Sequence, residues 1–311
     1  MLKTYLNLAF LVTVLQATIR MATPLIWATM GGIFSEKAGV LSIGMEGILL
    51  VGAFGGFMGA FYTGSLFMGV IVAMLAGGLT ASIYGYMTVK LGGSQAVIGT
   101  ALVLFAAGIT GFFYRAIFGV SSNLTNVAMF PNLKLPVLSH IPYLGPILFE
   151  QNILVYLGFL VVFATWIILY RTAWGLEIRS IGEHPEAADT VGLNVNLYRT
   201  ICVLLSGLLG GIGGAYLSLA NANTFVEMMS ADKGFMAFAI IILGKYNPLG
   251  ALLGSLLFGF ADALQLRLQA TGVNIPYQFL LMLPYVLTLI VMAGAGRTVE
   301  PAALAKPYKK S

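Results

Sequence analysis

Charged residues are scarce in this chain. Asp, Glu, Lys and Arg make up only 9% of its 311 residues, whereas hydrophobic residues make up 59% and the mean hydropathy is +0.93. A soluble domain carries roughly a quarter charged residues, so a water-soluble globular fold is excluded. The apolar runs extend for about 20 residues, unlike the ~10 alternating residues of a barrel strand. We therefore predict an all-α polytopic membrane protein with a single transmembrane domain over residues 1–311.

Signatures of several functional classes are also missing. The one cysteine, Cys202, lies in an apolar run, so the sequence has no disulfide framework. Gly244-Lys245 lacks the earlier glycine and the following Ser or Thr of a phosphate-binding loop. The histidines His140 and His184 fall in loops on opposite faces, which leaves no metal-ligand cluster and no Ser/His/Asp arrangement, and no basic cluster alternates with aromatic residues as nucleic-acid binding would need. We expect a chain that is not an enzyme and has no metal or nucleotide site of its own.

About nine apolar segments (8–10) follow one another along the chain. Their approximate ranges are 5–31, 39–62, 65–89, 96–118, 150–170, 198–220, 234–246, 249–268 and 276–295. The 234–246 segment would form a helix of only about 20 Å, short of the ~30 Å hydrocarbon core. The 39–62 segment is dense in glycine, and a single glycine there favours close helix packing. The glycine cluster and the short segment together predict broken helices, which often border a substrate site.

Lysine and arginine residues predict the orientation of the chain. If nine segments alternate, ten of these residues fall in loops on one face and five in loops on the other. The richer face is expected to be cytoplasmic. It carries the polar 171–197 loop and the C-terminal tail, which leaves the N-terminus and the 119–149 loop outside.

The 171–197 loop is the one long polar stretch between apolar segments. It predicts a small helix, because Pro185 suits a first helical position and the acidic residues Glu186 and Asp189 favour the first turn. Gly192 can end that helix in the left-handed conformation. A small capped helix on one face of a membrane protein indicates a docking surface for a partner.

Polar residues within the apolar segments mark a second candidate site, because an ionisable side chain costs on the order of 3 kcal/mol at the bilayer centre. Glu46 either lines a pocket or pairs with Arg20 to join two helices. Asp262 and Gln265 lie three residues apart and therefore share a helix face. Most aromatic residues are expected to pack between helices, and a minority to stack on a planar ligand. The predicted substrate-binding residues are Ser42, Glu46, Gln95, Asn223, Phe235, Asp262 and Gln265.

Three long motifs give the chain a family resemblance. The sequence Gly31-Gly-Ile-Phe-Ser-Glu-Lys-Ala-Gly-Val-Leu-Ser-Ile-Gly-Met-Glu-Gly47 resembles the N-terminal signature of bacterial ABC-importer permeases for nucleosides and simple sugars. These permeases belong to the wider branched-chain amino acid and ribose permease superfamily. Residues 231–254 and 256–269 are similar to the C-terminal signature of that family. Residues 182–192 contain a Glu-Ala-Ala-x-x-x-Gly pattern and resemble its coupling loop.

The resemblance implies the permease subunit of an ATP-driven importer in a bacterial inner membrane, with a type II ABC importer-like fold. A second, related permease would complete a heterodimer, and two ABC ATPase subunits would bind beneath it. A periplasmic or extracellular substrate-binding lipoprotein would deliver the ligand. The ATPase subunits would use ATP and Mg²⁺, so this chain would need no cofactor. The implied ATPase-coupling residues are Glu183, His184, Pro185, Glu186, Ala187, Ala188, Asp189 and Gly192.

The expected substrates are nucleosides, purine or pyrimidine, moved by alternating access as the ATPases displace the 183–192 helix. Ala187 and Ala188 would permit close approach of an ATPase. A permease for simple sugars such as ribose or galactose is the first alternative. An ion-coupled secondary transporter would use Glu46 or Asp262 as its coupling carboxylate. A non-transporting membrane scaffold would share the docking helix and have no ligand-sensitive cavity.

Overall fold

A computed structural model describes residues 8–119, 125–134, 136, 139, 141–270, 276–294 and 299–308, and most of them are helical. The helices are α1 (Leu8–Lys37), α2 (Met45–Thr63), α3 (Leu66–Gly85), α4 (Gln95–Phe118), α5 (Leu144–Leu148), α6 (Ile153–Arg171), α7 (Ala173–Glu183), α8 (Pro185–Thr190), α9 (Val195–Tyr216), α10 (Lys233–Leu243), α11 (Pro248–Ala270), α12 (Tyr277–Leu281) and α13 (Leu283–Gly294). Short π-helical turns extend α3 over Tyr86–Lys90 and α9 over Leu217–Asn221.

Seven helices in the described part of the chain are long and apolar enough to cross a membrane, namely α1, α2, α3, α4, α6, α9 and α11. They match seven of the nine segments predicted from the sequence. The predicted segments 234–246 and 276–295 contain shorter helices: α10 has 11 residues, and the last segment is divided into α12 and α13. The prediction of a helical, multi-pass membrane protein is confirmed, whereas the count of about nine segments is not confirmed by the seven long helices of the described residues.

Helix α1 lies at the centre of the fold and packs against α6, α9, α10 and α11. Its large side chains Leu25, Ile26, Met30 and Ile33 are each at most 1% exposed. The indole N–H of Trp27 donates to the carbonyl oxygen of Leu154 at 3.1 Å and ties α1 to the start of α6. Helices α3 and α4 instead expose large apolar side chains such as Phe67 and Leu104, as expected for a surface that faces lipid.

Glycine lets α2, α3 and α9 touch backbone to backbone. A Cβ at Gly52 of α2 would lie 2.7 Å from the Cα of Gly211 on α9. A Cβ at Gly77 of α3 would lie 2.4 Å from the carbonyl oxygen of Gly207, also on α9. No side chain fits at such distances, so these glycines have the packing role expected of small residues in membrane helices.

A non-helical turn over residues 38–44 separates α1 from α2. Its backbone enters the left-handed region at Gly39, with φ of 91°. A Cβ at this glycine would also lie 2.8 Å from the Nη2 atom of Arg199. The predicted 39–62 segment is therefore a turn followed by one continuous helix, Met45–Thr63, so the break expected within its glycine cluster is absent there and the glycines of the helix serve close packing.

A second irregular segment covers residues 222–232, between the end of α9 and the start of α10. Four non-glycine residues here have positive φ, namely Asn223, Met228, Ala231 and Asp232. This conformation costs roughly 1–2 kcal/mol per residue, so the surrounding packing must hold it in place. Helix α10 then extends for only about 16 Å, and its first residue is Lys233. The short predicted segment 234–246 thus contains a half-helix that follows an irregular segment of backbone.

The predicted external loop 119–149 contains some regular structure. Residues Asn132–Lys134 form strand β1, which pairs antiparallel with strand β2, Glu150–Asn152. Pro146 lies in the first turn of α5, where the missing N–H is tolerated. Residues 144–148 are therefore helical although the loop is rich in proline. His140, one of the two histidines considered above, lies outside the described residues.

Candidate functional site: a cavity at a half-helix and a coupling surface

A cavity of about 210 Å³ opens beside the first turn of α10. Helices α1, α10, α11 and α13 contribute to its wall. Its polar and aromatic lining residues are Lys233, Asp262, Gln265 and Tyr285, and Met21 contributes apolar surface. Two of the seven predicted substrate-binding residues, Asp262 and Gln265, therefore line one cavity from one face of α11.

The cavity opens at the surface of the helical bundle, where its lining residues Leu266, Leu281 and Tyr285 are exposed. Asp262 follows Pro248, the first residue of α11, by 14 positions, which corresponds to about 21 Å of helix. Met21 precedes Lys37, the last residue of α1, by 16 positions, or about 24 Å. The hydrocarbon core of a bilayer is about 30 Å thick. Both helices therefore place the cavity far from their ends at Lys37 and Pro248.

Lys233 and Asp262 form an ion pair in the cavity wall. The Nζ to Oδ2 distance is 4.0 Å, and the two side chains are only 14% and 13% exposed. Pairing offsets part of the cost of placing each charge in the membrane. Counting charges over nine complete crossings puts Lys233 among the five Lys and Arg residues of the outer loops, whereas Lys233 is the first residue of α10 and its side chain is largely buried beside Asp262.

Glu46 closes the amino end of α10. Its Oε2 accepts the backbone N–H of Gly234 at 2.6 Å, and its Oε1 accepts that of Asp232 at 3.1 Å. The first N–H groups of a helix lack intrahelical partners, and the helix dipole favours a negative charge there. A Cβ at residue 234 would lie 2.2 Å from the Glu46 nitrogen, so glycine is required for this approach.

Neither reading of Glu46 from the sequence is correct. Its side chain is 1% exposed and is not among the described residues that line the cavity. None of the ion pairs found among the described residues joins it to Arg20. Glu46 instead lies next to the cavity wall. It accepts hydrogen bonds from the N–H groups of Asp232 and Gly234, the two neighbours of Lys233 in the chain.

Ser42 and Gln95 hold the 38–44 turn. The backbone N–H and the hydroxyl of Ser42 both donate to Oε1 of Glu36. Gln95 Oε1 accepts the N–H of Leu41 at 2.8 Å, and the Tyr84 hydroxyl donates to the Leu41 carbonyl at 2.9 Å. These side chains are buried in the helix junction, away from the cavity. Glu36 was not among the residues predicted from the sequence, although a carboxylate in the last turn of a membrane helix indicates a hydrogen-bonding role.

The remaining two predicted substrate residues lie elsewhere. The carbonyl oxygen of Asn223 accepts the N–H of Val127 at 2.9 Å, which ties it to the predicted external loop. Phe235 is 39% exposed on the surface of α10. The structure therefore brings Asp262 and Gln265 together, puts Glu46 behind them, and leaves the other four candidates outside the cavity.

The predicted docking helix is present as α8. Pro185 is its first residue, and Gly192 follows its end with φ of 92°, as the sequence indicated. Helix α7 precedes it within the 171–197 loop. The exposed members of the predicted coupling set are Glu183, His184, Glu186, Ala187 and Gly192, and Pro185 and Asp189 are half-buried.

Ala188 differs from the prediction. It is only 4% exposed and packs against Ile181 and Val195. A helix of six residues has one face toward the protein, and Ala188 lies on it. Ala187, on the opposite face, is the alanine that a partner can approach.

Two surface grooves flank α8. One has a volume of about 530 Å³ and lies between residues 183–187 and the C-terminal segment 302–308. The other, of about 710 Å³, is bordered by residues 192–197 and by Lys90. Tyr308 lines both grooves. Helix α8 is thus a ridge between two recesses, a shape suited to insertion into a cleft.

The chain belongs to a transport family. Residues 14–292 match the family model described as branched-chain amino acid transport system / permease component. Nucleoside ABC transporter permease protein NupC of Lactococcus lactis is 39% identical over 93% of this chain and 94% of its own length. Guanosine ABC transporter permease protein NupQ of Bacillus subtilis is 37% identical over 96% of both chains. TsgC13 of Haloferax volcanii, named as a glucose ABC transporter permease, is 34% identical over 96% of both.

A second kind of permease also matches, more distantly. Nucleoside ABC transporter permease protein NupB, from the same Lactococcus lactis strain as NupC, is 24% identical over 78% of this chain and 69% of its own length. Among solved structures, a metal-chelate type ABC transporter in an inward-facing conformation aligns with a TM-score of 0.51. It is 18% identical and covers 93% of this chain and 90% of its own. This structural likeness shows the overall fold.

Proposed function

We propose that this chain is a permease subunit of an ABC importer that moves nucleosides across a bacterial inner membrane by alternating access. The observation that carries the proposal is the 37–39% identity to nucleoside and guanosine permeases over at least 93% of the chain. The cavity at the start of α10 supports it, because discontinuous helices in transporters often border substrate sites.

The cavity has chemistry that suits a nucleoside. The Asp262 carboxylate can accept hydrogen bonds from sugar hydroxyls, and the Gln265 amide can both donate and accept. The Tyr285 ring offers an aromatic surface for a planar base. The Lys233 ammonium lies 4.0 Å from the Asp262 carboxylate, so the pair offers a donor and an acceptor side by side. Substrate hydroxyls would thus meet a preformed acceptor.

The proposed topology has nine crossings, seven by long helices and two by shorter ones. Lys37 Nζ lies 5.6 Å from the ring centroid of Tyr246, so the end of α10 lies on the same face as the end of α1. Asn223 lies on the opposite face with Val127, and the chain therefore crosses between residues 223 and 246.

The last crossing follows from the C-terminal segment. Ala303 donates its N–H to the carbonyl oxygen of Gly182 at 2.9 Å, so this segment shares a face with α7 and α8. Helix α11 starts on that face and has 23 residues, or about 34 Å. The chain between residues 270 and 299 must then return. The arrangement supports a cytoplasmic coupling surface and an external 119–149 loop.

The partners proposed for this chain complete an importer. NupB and NupC are two different permeases of one organism, which supports a heterodimer of related permease subunits. ABC ATPase subunits would receive α8 in a cleft and would use ATP and Mg²⁺, so this chain would need no cofactor. A substrate-binding lipoprotein would deliver the ligand on the outer face. Membrane lipids would cover the apolar surfaces of α3 and α4.

Reconstitution in proteoliposomes tests the proposal. The chain is combined with its second permease, the ATPase subunits and the binding protein, and uptake of labelled guanosine, uridine, ribose and glucose is measured. We expect ATP-dependent uptake of nucleosides, in competition with one another and not with the sugars. Uptake of sugars alone would favour the alternative supported by the likeness to TsgC13. Uptake driven by an imposed ion gradient with no ATPase present would overturn the importer.

A further inference from the structure

The C-terminal segment 301–308 lies across the coupling helices and the turn that precedes α2. We propose that this segment, fixed by Arg199, is a strap that transfers movement of α8 to the 38–44 turn and from there to the cavity wall. The inference rests on the proposed importer function and adds a positioning role for residues that the sequence motifs do not assign.

The strap is joined to the end of α7. The N–H of Ala303 donates to the carbonyl oxygen of Gly182 at 2.9 Å, and the N–H of Ala302 donates to Oε2 of Glu183 at 3.2 Å. The last carbonyl groups of a helix need partners from outside it. The strap thus pairs with groups that α7 leaves open, directly before α8 begins.

The strap is joined to α8 as well. The Tyr308 hydroxyl forms a hydrogen bond with Asp189 in the last turn of α8. Its ring packs with Ala188 and Val195 on the inner face of the helix. A push on the outer face of α8, where Ala187 is exposed, would therefore press directly on the end of the strap.

Arg199 joins the strap to the end of α1. Its guanidinium Nε donates to the Ala38 carbonyl at 3.0 Å, and its Nη1 donates to the Lys306 carbonyl at 2.9 Å. The side chain is 2% exposed, and a cation is favoured at the carboxyl end of a helix such as α1. The planar guanidinium fixes both carbonyl groups in one plane, which a lysine could not do.

The middle of the strap contacts the turn itself. The N–H of Ala305 donates to the carbonyl oxygen of Gly39 at 3.2 Å. Ala305 adopts a left-handed φ of 63° to do so. Such a conformation is unfavourable for alanine, so the neighbouring contacts must hold it.

Contacts continue from the turn to the cavity. Ser42, in the turn, donates a hydrogen bond to Glu36, and α2 begins three residues after Ser42. Glu46 in the first turn of α2 holds the amino end of α10, which carries Lys233 of the cavity wall. An unbroken series of contacts thus runs from α8 to the Lys233–Asp262 pair. Spatial continuity alone does not establish coupling, and transport measurements must test it.

The test uses the complete reconstituted importer with Arg199→Gln and Tyr308→Phe. We expect Arg199→Gln, whose buried side chain lines neither groove of the coupling surface, to co-purify with the ATPase subunits and to keep the basal rate of ATP hydrolysis. Transport per ATP hydrolysed should fall by about tenfold for Arg199→Gln, within the 5–150-fold range of typical coupling energies, and by less for Tyr308→Phe. Arg171→Gln is the matched control, because Arg171 stacks on Trp166 and has no contact with the strap; it should transport normally.

Several outcomes would contradict the proposed role of the strap. Unchanged transport per ATP in both variants, with normal transport by the wild-type importer, would refute it and leave the proposed function intact. Loss of ATPase subunits from both variants would assign these residues to docking instead. If Arg199→Gln fails to fold, Tyr308→Phe decides alone, since it removes one hydroxyl near the surface. A wild-type importer without ATP-dependent uptake would refute the proposed function itself.

Discussion

The Glu46 carboxylate and the Gly234 N–H, 188 residues apart in sequence, meet at 2.6 Å where α10 begins. This contact joins the first turn of α2 to the first turn of a half-helix inside the membrane. It places Lys233 beside Asp262 and thereby forms one wall of the cavity. The role of Glu46 is therefore to position the site, and its removal should affect stability before it affects ligand contacts.

Glu46→Ala is expected to lower the stability of the protein. It leaves two buried N–H groups without an acceptor, at a cost of about 1–3 kcal/mol for each. Glu46→Gln should cost less, because its amide oxygen can still accept one of them. The unfolding temperatures of the wild type and the two variants in detergent test this order of stability. If Glu46 touched substrate instead, both variants would unfold at the wild-type temperature and differ only in transport.

Gly234→Ala tests the close approach of α2 and α10. The added Cβ would lie 2.2 Å from the Glu46 nitrogen, and its three nearest atoms all belong to the backbone of Met45 and Glu46. Overpacking of this kind costs about 1–3 kcal/mol, so we expect a clear fall in the unfolding temperature. Gly108→Ala is the matched control, because a Cβ there meets no atom within 4 Å, and it should be neutral or slightly stabilising. Equal behaviour of the two variants would contradict the packing described.

The Lys233–Asp262 pair should behave as a unit. Asp262→Asn leaves a cation in the cavity wall, and Lys233→Gln leaves an anion, so each alone should reduce uptake strongly. The double variant should lose less transport activity than the sum of the losses in the two single variants, which corresponds to an interaction energy of about 0.5–3 kcal/mol. A thermodynamic cycle on the concentration of substrate that gives half-maximal uptake provides the measurement. Strict additivity would mean that the two charges act independently.

Ala187 and Ala188 should respond to substitution in opposite ways. Ala187→Arg places a long charged side chain on the exposed face of α8, so we expect loss of ATPase binding at an unchanged unfolding temperature. Ala188→Arg places the same side chain against Ile181 and Val195, and it should lower the unfolding temperature as well. Co-purification with the ATPase subunits, measured beside thermal unfolding, separates the two effects. Binding that survives Ala187→Arg would remove α8 from the interface.

Local patterns in the sequence were sufficient for the long helices and for α8. Apolar runs of about 20 residues identify membrane helices whatever their neighbours are. Pro185 and Gly192 act through their own backbone preferences, so both ends of α8 could be placed. The i, i+3 spacing of Asp262 and Gln265 likewise fixes a shared face without knowledge of the fold.

The partners of the polar side chains could not be predicted in the same way. Glu46 bonds to Gly234, and Gln95 bonds to Leu41, through contacts that depend on how helices from distant parts of the sequence pack. Lys233 was assigned to an outer loop because charge counting assumes that each segment crosses the membrane completely. Ala188 was assigned to the interface because a six-residue helix has too few residues to show which face is apolar.

The ion pair between Arg115 and Glu227 should make a small contribution to stability that depends on pH. The Nε and Nη2 atoms of Arg115 donate to the Glu227 carboxylate at 2.6 and 2.5 Å, and this hydrogen bonding lowers the pKa of Glu227. A carboxyl group whose pKa is lowered by folding stabilises the folded state at neutral pH. This stabilisation begins to be lost when the pH falls to about 4.3, the ordinary pKa of Glu, and it is gone once the pH has fallen below the lowered pKa of the folded state.

The side chains of this pair are 61% and 36% exposed, so screening by solvent keeps its contribution to stability small. Glu227→Gln keeps the shape of the side chain and removes its charge. We expect it to unfold at a lower temperature than the wild type at pH 7, with a difference that narrows toward pH 3.5 and at high salt, because surface charges are screened. A difference that stayed constant with pH would mean that packing, and not charge, joins α4 to the 222–232 segment.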